Sequence, residues 1–382
     1  MFKAHSLTGR ITESLMLKAF KAVKKNRGAA GIDKQSIQMF EQNRDENLRA
    51  LMKELKDSSY WPYPLRREYI PKEPGKVRPL GIPAVRDRVA QEVVRRLIEP
   101  YFEPYFSPYS CGFRPRRNCH MAVKMVMGLW ERGYSIVLDA DIQSFYDNIP
   151  HALIMKLVAE KIADGNILRL IEKFLASGVM EDGVLKPTTI GTPQGGVISP
   201  LLANIVLDVL DKELAQSGYA FVRYADDFLV LAKTQPEIEK ALEIVRNVIE
   251  GRLGLKLSPE KTKITSFVNG FDFLGFHFSR THITVRAKSM KKLQEKIKML
   301  TIRSHNFDDD MIHKINTVLR GVANYYAQEF SSVKEQFYML DEMLRRRLRC
   351  VKMKRYWNSD NRRLPNSFFE KRGLIPLCAY LE

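Results

Sequence analysis

The chain has 382 residues, and its 62 Lys plus Arg against 44 Asp plus Glu give a net charge of +18. With 45% hydrophobic and 10% aromatic residues it can build sizeable cores, which excludes a disordered basic tail and points to two or three units at ~100–200 residues each. No apolar run approaches the ~20 residues that cross a bilayer, and the opening MFKAHSLTGR lacks the apolar centre of a signal peptide, so the expected compartment is cytoplasmic.

In chain order, Leu15, Leu17, Phe20 and Val23 have helical spacing over Thr12 to Lys25, and Asn26-Arg27-Gly28 ends the run. A second helix is expected from Ser36 to Leu55. Repeated prolines then forbid helix in WPYPLRREYIPKEPGKVRPLGIP, where Glu73-Pro74-Gly75-Lys76 reads as a hairpin tip flanked by Lys72 and Arg78. Arg86 to Ile98 is helical, residues 100–118 are a Pro- and aromatic-rich loop, and SIVLDADI is a buried strand carrying two acids. After a helical stretch from His151 to Leu175, GTPQGGVISP is a loop that leads into a helix over Leu201 to Leu214. FVRYADDFLVLA is a hairpin with Ala225, Asp226 and Asp227 at its turn. Pro236 to Leu253 is an amphipathic helix, LKLSPEKTKI and FDFLGFHF are short strands, and from Met290 the pattern is helical with a break near Ser304 to Asp308. Strands with helices in the middle and helices alone at the end suggest a catalytic α/β unit followed by a helical module.

Charge is unevenly placed. Residues 1–85 carry a net +8, residues 86–285 carry none, and residues 286–382 carry +10. Basic ends around a neutral middle suit an enzyme that handles a polyanion and keeps acids for metal, although Lys-rich solvated helices would give the same totals. Cys111, Cys119, Cys350 and Cys378 contain no CxxC pair, so they read as reduced, packed thiols.

Asp141 follows the apolar run Ile136 to Leu138, and Asp226 and Asp227 interrupt a second apolar run. A carboxylate beside buried strands is costly unless a cation compensates it. Two such sites converging at one sheet end could hold Mg²⁺, which binds through one or two carboxylates and keeps positions for water and phosphates. As an isolated doublet, Asp226-Asp227 would be read only as a turn.

The surrounding residues give the doublet a context. Phe221-Val222-Arg223-Tyr224-Ala225-Asp226-Asp227 resembles the YxDD box of reverse transcriptases, in the wording of bacterial group II intron-encoded enzymes. IPKEPGKVRPLGIPAVRDRVAQ, SCGFRPRRNCHMAV, DADIQSFYDNIPH, GTPQGGVISPLLANIVLDVLD, GLKLSPEKTKI and FDFLGFHF resemble the neighbouring blocks in the same order. INTVLRGVANYYAQEF and LDEMLRRRLR resemble the helical thumb, so the likeness covers roughly residues 25–350. It implies an α+β, right-hand polymerase with an antiparallel-sheet palm and an α-helical thumb. The implied divisions are 1–108 for the N-terminal extension and fingers, 109–285 for the palm with finger-contributing segments, 286–350 for the thumb, and 351–382 for a short basic tail.

The same resemblance assigns roles. Asp141, Asp226 and Asp227 would be the catalytic carboxylates, with the Ile142 carbonyl completing the metal shell around two Mg²⁺ ions, Mn²⁺ being the substitute. Asp139 is a peripheral acid on the same strand face as Asp141. Lys72 and Arg78 would hold the incoming deoxynucleoside triphosphate, and Phe145 or Tyr146 would lie beneath its sugar, Phe145 being preferred. Gln194 would lie along the new base pair, with Gly195 and Gly196 allowing close backbone approach, and Lys261 would reach the leaving pyrophosphate. Nucleic acid would meet Arg114, Arg116 and Tyr224, and on the thumb Arg320, Tyr325, Tyr326, Arg345, Arg346, Arg347 and Arg349, a surface with salt-dependent affinity.

The expected function is RNA-directed DNA synthesis on an RNA template from a DNA or RNA primer and deoxynucleoside triphosphates. Two other settings are a defence enzyme copying a dedicated noncoding RNA, and an intron maturase acting as an RNA-binding splicing factor. The tail shows no paired metal motif of the kind that marks the nuclease of mobile-intron enzymes, so a compact form without that domain is expected.

Overall fold

The computed structural model describes residues 3–73, 75–193, 195–355 and 360–381, apart from the side chains of Lys72, Glu73 and Lys76. The Lys72 side chain, Gln194 and residues 356–359 of the basic tail therefore lie outside the described residues. The chain divides into two compact units, Met1–Ile264 and Thr265–Glu382.

Among the described residues the strands are β1 (Leu65–Glu73), β2 (Lys76–Ile82), β3 (Ile136–Ala140), β4 (Val179–Glu181), β5 (Val184–Lys186), β6 (Ala220–Tyr224), β7 (Asp227–Ala232), β8 (Lys263–Ser266), β9 (Phe271–Phe273), β10 (Phe276–Phe278) and β11 (Ile283–Val285). They form sheets of order β2-β1-β4-β5, β6-β7-β3-β8 and β11-β10-β9. Pairing is antiparallel for β1 with β2, β3 with β7 and β6 with β7, and parallel for β1 with β4. Helices accompanied by mainly antiparallel strands make this the expected α+β class.

In the first unit the opening helix Glu13–Lys25 is capped by the Thr12 hydroxyl, which accepts from the Leu15 N–H, and it buries Met16, Ala19, Phe20 and Val23. The helix expected over Ser36 to Leu55 is two helices, Ile37–Gln42 and Arg44–Asp57, because Asn43 leaves helical geometry. Helices Val85–Phe102 and Ser199–Gln216 bury residues on nearly every side, charged ones included. The amphipathic run expected to Leu253 is α-helical over Gln235–Arg246 and π-helical over Asn247–Arg252.

The register of the β6-β7-β3-β8 sheet positions the acids. Ala140 lies opposite Phe228, and Tyr224 opposite Asp227, so the end of β3 and the β6–β7 turn meet at one edge.

In the second unit β9 to β11 fold with helices Ala287–Leu300, Asp309–Tyr326 and Lys334–Met353. Their shared core includes Leu293, Ile297, Ile315, Leu319, Phe337 and Leu344. FDFLGFHF, expected with the palm as one short strand, is two, β9 and β10, and with β11 it falls in the second unit, where Phe276 of β10 packs on the rings of Tyr325 and Tyr326. Among the described residues no helix is long and apolar enough to cross a membrane.

Candidate active site

Asp141 sits just beyond β3, where the following segment is pinned by residues 256–258. The Ser258 N–H donates to the Asp141 carbonyl at 2.7 Å, and the Gln143 N–H donates to the Lys256 carbonyl at 2.8 Å. Ile142 faces Leu257 in this bridge, but both hydrogen bonds belong to its neighbours, so the Ile142 carbonyl is not spent here. The side chain of Asp141 meets the Lys261 ammonium, Nζ to Oδ2 at 2.8 Å, and Asp139 has Lys263 Nζ at 3.9 Å.

Asp226 occupies the tight β6–β7 turn, where Ala225 has a left-handed φ of 58°. Burial, with the Asp141 charge adding to it, pushes the Asp226 carboxyl above its ordinary range, against the pull of Arg78 and Lys261. Asp227 is the first residue of β7 and is exposed. Two carboxylates, two cations and a strained turn therefore converge at the sheet edge. Among the described residues no group of three or more His, Cys, Asp and Glu is placed to share a metal.

The turn is held from behind by a residue that the sequence patterns do not single out. Arg223 is fully buried, with Nε and Nη2 donating to the two carboxylate oxygens of Asp211 at 2.8 and 2.6 Å. Its Nη1 donates to Asn204 Oδ1 at 2.8 Å and to the Ala225 carbonyl at 2.9 Å, one residue before Asp226. Asn204 in turn donates to the Gly112 carbonyl. Gly112 runs so close to the turn that a Cβ there would collide with the Ala225 nitrogen. The available signal was a lone cation in the apolar strand FVRY and acids in the all-round apolar helix LLANIVLDVLD.

Around this edge, Tyr146 is half-buried, and burial followed by the Asp226 charge raises its phenol, while Arg223 and Arg78 oppose the rise. Phe145, the preferred residue of the two, is instead 2% exposed within the main core, touching the Tyr146 ring from behind. Arg78 is exposed on β2 opposite Ile70. Residues around Gln194 are tied to this region: the Thr192 N–H donates to the Tyr146 carbonyl at 2.7 Å, and the Val197 N–H to Gln91 Oε1 at 2.7 Å. Gly195 has a φ of 113° and abuts the Gly81 carbonyl of β2, which leaves no room for a side chain. Gly196 lies against Ser199 and Gln91.

Several expected nucleic-acid contacts are consumed by the fold. Arg114 is buried, with its guanidinium on the Glu103 carboxylate at 2.9 Å and on the carbonyls of Ser107 and Ser110, and is therefore corrected to a structural residue. Arg116 is exposed, and Tyr224 is half-buried beside Phe113. In the second unit, Tyr325 stacks on Phe276 and donates to the Leu274 carbonyl at 2.8 Å, and Tyr326 packs edge-on against the same ring. Both tyrosines are half-buried in this packing. Arg347 donates to Thr301 Oγ1 at 2.7 Å and to the Thr301 carbonyl at 2.9 Å, closing the end of helix Ala287–Leu300. Arg349 donates to the Leu364 carbonyl and to Asn366 Oδ1. The expected cationic strip thus reduces to Arg345, which is half-buried, and Arg346, which is exposed and pairs with Glu342, with Arg320 exposed on its own helix.

Paired carboxylates with cations beside them are a donor set that suits divalent metal and phosphate. The family described as reverse transcriptase (RNA-dependent DNA polymerase) matches residues 70–278, and the group II intron maturase-specific domain matches residues 290–367. Protein YkfC of Escherichia coli is 35% identical over 65% of this chain and 76% of its own length. Group II intron-encoded protein LtrA of Lactococcus lactis is 30% identical over 78% of this chain, which spans 66% of LtrA. Among solved structures, telomerase from Candida albicans aligns with 14% identity and a TM-score of 0.45 over 88% of this chain and 66% of its own. The chain belongs to the reverse transcriptase family, in the group II intron-like branch that carries the maturase-specific domain. Members of this family generally use divalent metal ions.

Proposed function

We propose that this chain copies an RNA template into DNA, with Asp141 and Asp226 as the metal-holding carboxylates. The observation that carries the assignment is their convergence at one sheet edge, with the Lys261 ammonium lying on Asp141 where a cation is called for. The donor set fits Mg²⁺, because two carboxylates and the unspent Ile142 carbonyl leave the remaining positions to water and phosphate. Two Mg²⁺ ions, or Mn²⁺ in their place, would activate the primer 3′ hydroxyl and stabilise the leaving pyrophosphate oxygen.

The chain's own groups then divide the work. Arg78, with Lys72 on the other side of the hairpin tip, holds the triphosphate. Tyr146 lies beneath the incoming sugar and Phe145 supports it from the core. Lys261, which lies on Asp141, would reach the leaving pyrophosphate. Asp227 adds negative potential at the turn, and Gly195 and Gly196 let Gln194 lie along the new base pair. Arg116, Arg320, Arg345 and Arg346 contact the nucleic-acid backbone. In this reading the first unit supplies fingers and palm, and the second supplies the thumb and tail. The maturase-specific match over residues 290–367 favours an added role for that unit in binding a structured intron RNA.

A primer-extension assay with purified protein, RNA template, DNA primer, deoxynucleoside triphosphates and Mg²⁺ tests the reading. Wild-type protein extends the primer and folded Asp226→Ala does not. Equal synthesis by the two proteins would remove the proposed site.

A further inference from the structure

The segment Ser58–Pro64 is fastened to the first unit yet projects two aromatic rings into solvent. Ser58 has a left-handed φ of 67°. Lys173 Nζ donates to the carbonyls of Ser58 and Tyr60 at 3.0 and 2.6 Å. The Tyr60 ring is fully buried, its hydroxyl on Asp87 at 2.6 Å, and the Tyr63 N–H donates to the same carboxylate at 3.0 Å. Pro62 and Pro64 further restrict the backbone. Between these anchors, Trp61 is 69% exposed and Tyr63 is 43% exposed. Large aromatic rings gain from burial, so a rigid segment that keeps two of them in water is built to meet something.

Charge indicates what. The Lys173 ammonium lies 5.0 Å from the Trp61 ring centroid, and the Arg86 guanidinium 5.3 Å from that of Tyr63. Arg169, one turn before Lys173, reaches Ser58 Oγ at 3.4 Å. The rings border an open groove of about 480 Å³ whose one acidic lining residue, Glu54, is paired with Arg86 at 2.6 Å. Lys173, Arg86 and Arg169 lie beside the segment with Glu54 and with Asp57, which accepts from Ser59, while a third acid, Asp87, is buried beneath it. A protein partner would have to desolvate these charges, and the centres of protein interfaces are depleted of charge. Trp61 and Tyr63 are two residues apart on an extended backbone, ~6.5 Å along the chain, which lets neighbouring bases of an extended strand meet one ring each. Aromatic rings flanked by cations are how single-stranded nucleic acid is held without regard to sequence.

We propose that Trp61 and Tyr63 form a stacking platform for unpaired bases of a single-stranded polynucleotide, separate from the carboxylate edge, with Lys173, Arg86 and Arg169 serving its phosphates. The choice of strand rests on the polymerase reading, in which the uncopied template is the strand that presents unpaired bases. Binding itself needs no catalysis and is tested without it.

The experiment is fluorescence-anisotropy titration of labelled oligo(A) RNA and of a blunt RNA–DNA duplex with the full chain carrying Asp226→Ala, alone and with platform changes. Trp61→Ala should weaken oligo(A) binding about tenfold and Trp61→Ala with Tyr63→Ala about 100-fold. Trp61→Phe should keep binding within about threefold, and the duplex should bind all variants alike. Because both rings are exposed, unchanged thermal unfolding is expected and is checked beside the titration. Unchanged oligo(A) affinity in the double variant overturns the proposal, as does an equal loss for strand and duplex. If the double variant instead dissolves a self-complex in sedimentation velocity without changing RNA affinity, the surface is a protein interface and the proposal is wrong. Failure of wild-type primer extension would strike the polymerase reading and leave this one standing.

Discussion

The carboxylate edge of the first unit and the arginine-rich helix of the second treat their charges in opposite ways. At the edge, the acids remain partly accessible because a buried arginine behind them takes over the structural work: Arg223 satisfies Asp211, Asn204 and the Ala225 carbonyl at once. On helix Lys334–Met353 the arginines themselves do that work, Arg347 and Arg349 being committed to neighbouring helix ends. A charge is available for chemistry only when the fold does not need it, and that need is set by tertiary neighbours.

The largest effect should come from breaking the support at the edge. Arg223→Met leaves Asp211 buried and uncompensated, which should cost about 3–5 kcal/mol in chemical unfolding of the first unit. Adding Asp211→Leu should recover most of that stability, since replacing a buried pair by apolar groups of similar volume is often neutral. Primer extension should stay low in the double variant because nothing then holds the Ala225 carbonyl. Full activity in the double variant would show that the turn keeps its shape unaided.

A second buried acid in the same unit sharpens the contrast, because the cation beside it, Arg86, stands off without the paired hydrogen bonds that Arg223 gives Asp211. Asp87 is 1% exposed and accepts from Tyr60 and the Tyr63 N–H, with Arg86 Nε at 3.6 Å. Burial pushes its carboxyl up to about 6. The folded protein therefore holds this proton more tightly than the unfolded chain. Stability should fall as pH rises from about 4 to about 6 and level off above, by on the order of 2–3 kcal/mol. Asp87→Asn should remove that component when unfolding free energies are compared at pH 4.5 and 7.5, and an unchanged pH slope would count against it.

Much of this was legible in the sequence where a local pattern dictates the outcome. The 65–82 hairpin follows from prolines that forbid helix around a turn, the β6–β7 turn from an acidic doublet between two apolar runs, and Asp141 and Asp226 stand out as acids beside buried strands. Strands β4 and β5 did not show, since three-residue strands carry too little alternation and β4 finds its partner in distant β1. Arg223, Arg347, Tyr325 and Phe145 illustrate the same limit at the level of side chains. Composition and helical spacing place a polar or aromatic group on a surface, but not whether a carbonyl, a neighbouring ring or solvent waits there.

In the second unit, removing a committed arginine should cost stability. Arg347→Ala deprives the end of helix Ala287–Leu300 of its charged donor, a loss of about 1.5–3 kcal/mol by the usual worth of hydrogen bonds to charged groups. Hydrogen exchange should show it as weaker protection of amides in Ala287–Leu300. Unaltered protection there would mean that the hydrogen bonds to Thr301 are incidental.

The smallest structural effect belongs to the outward pair. Arg345→Ala with Arg346→Ala gives up a surface ion pair to Glu342 worth well under ~1 kcal/mol, so unfolding should barely move. If these side chains do meet phosphate, each cation removed should flatten the dependence of log affinity on log salt by roughly 0.7–0.9, measured with a primer–template duplex at low and at near-physiological salt. Arg347→Ala is the comparison that gives this meaning: it should lower stability and leave the salt slope nearly alone. Were the slopes to change in the reverse order, the arginine that closes the helix end would also be the one that holds nucleic acid, and the division between committed and available charge would fail in this unit.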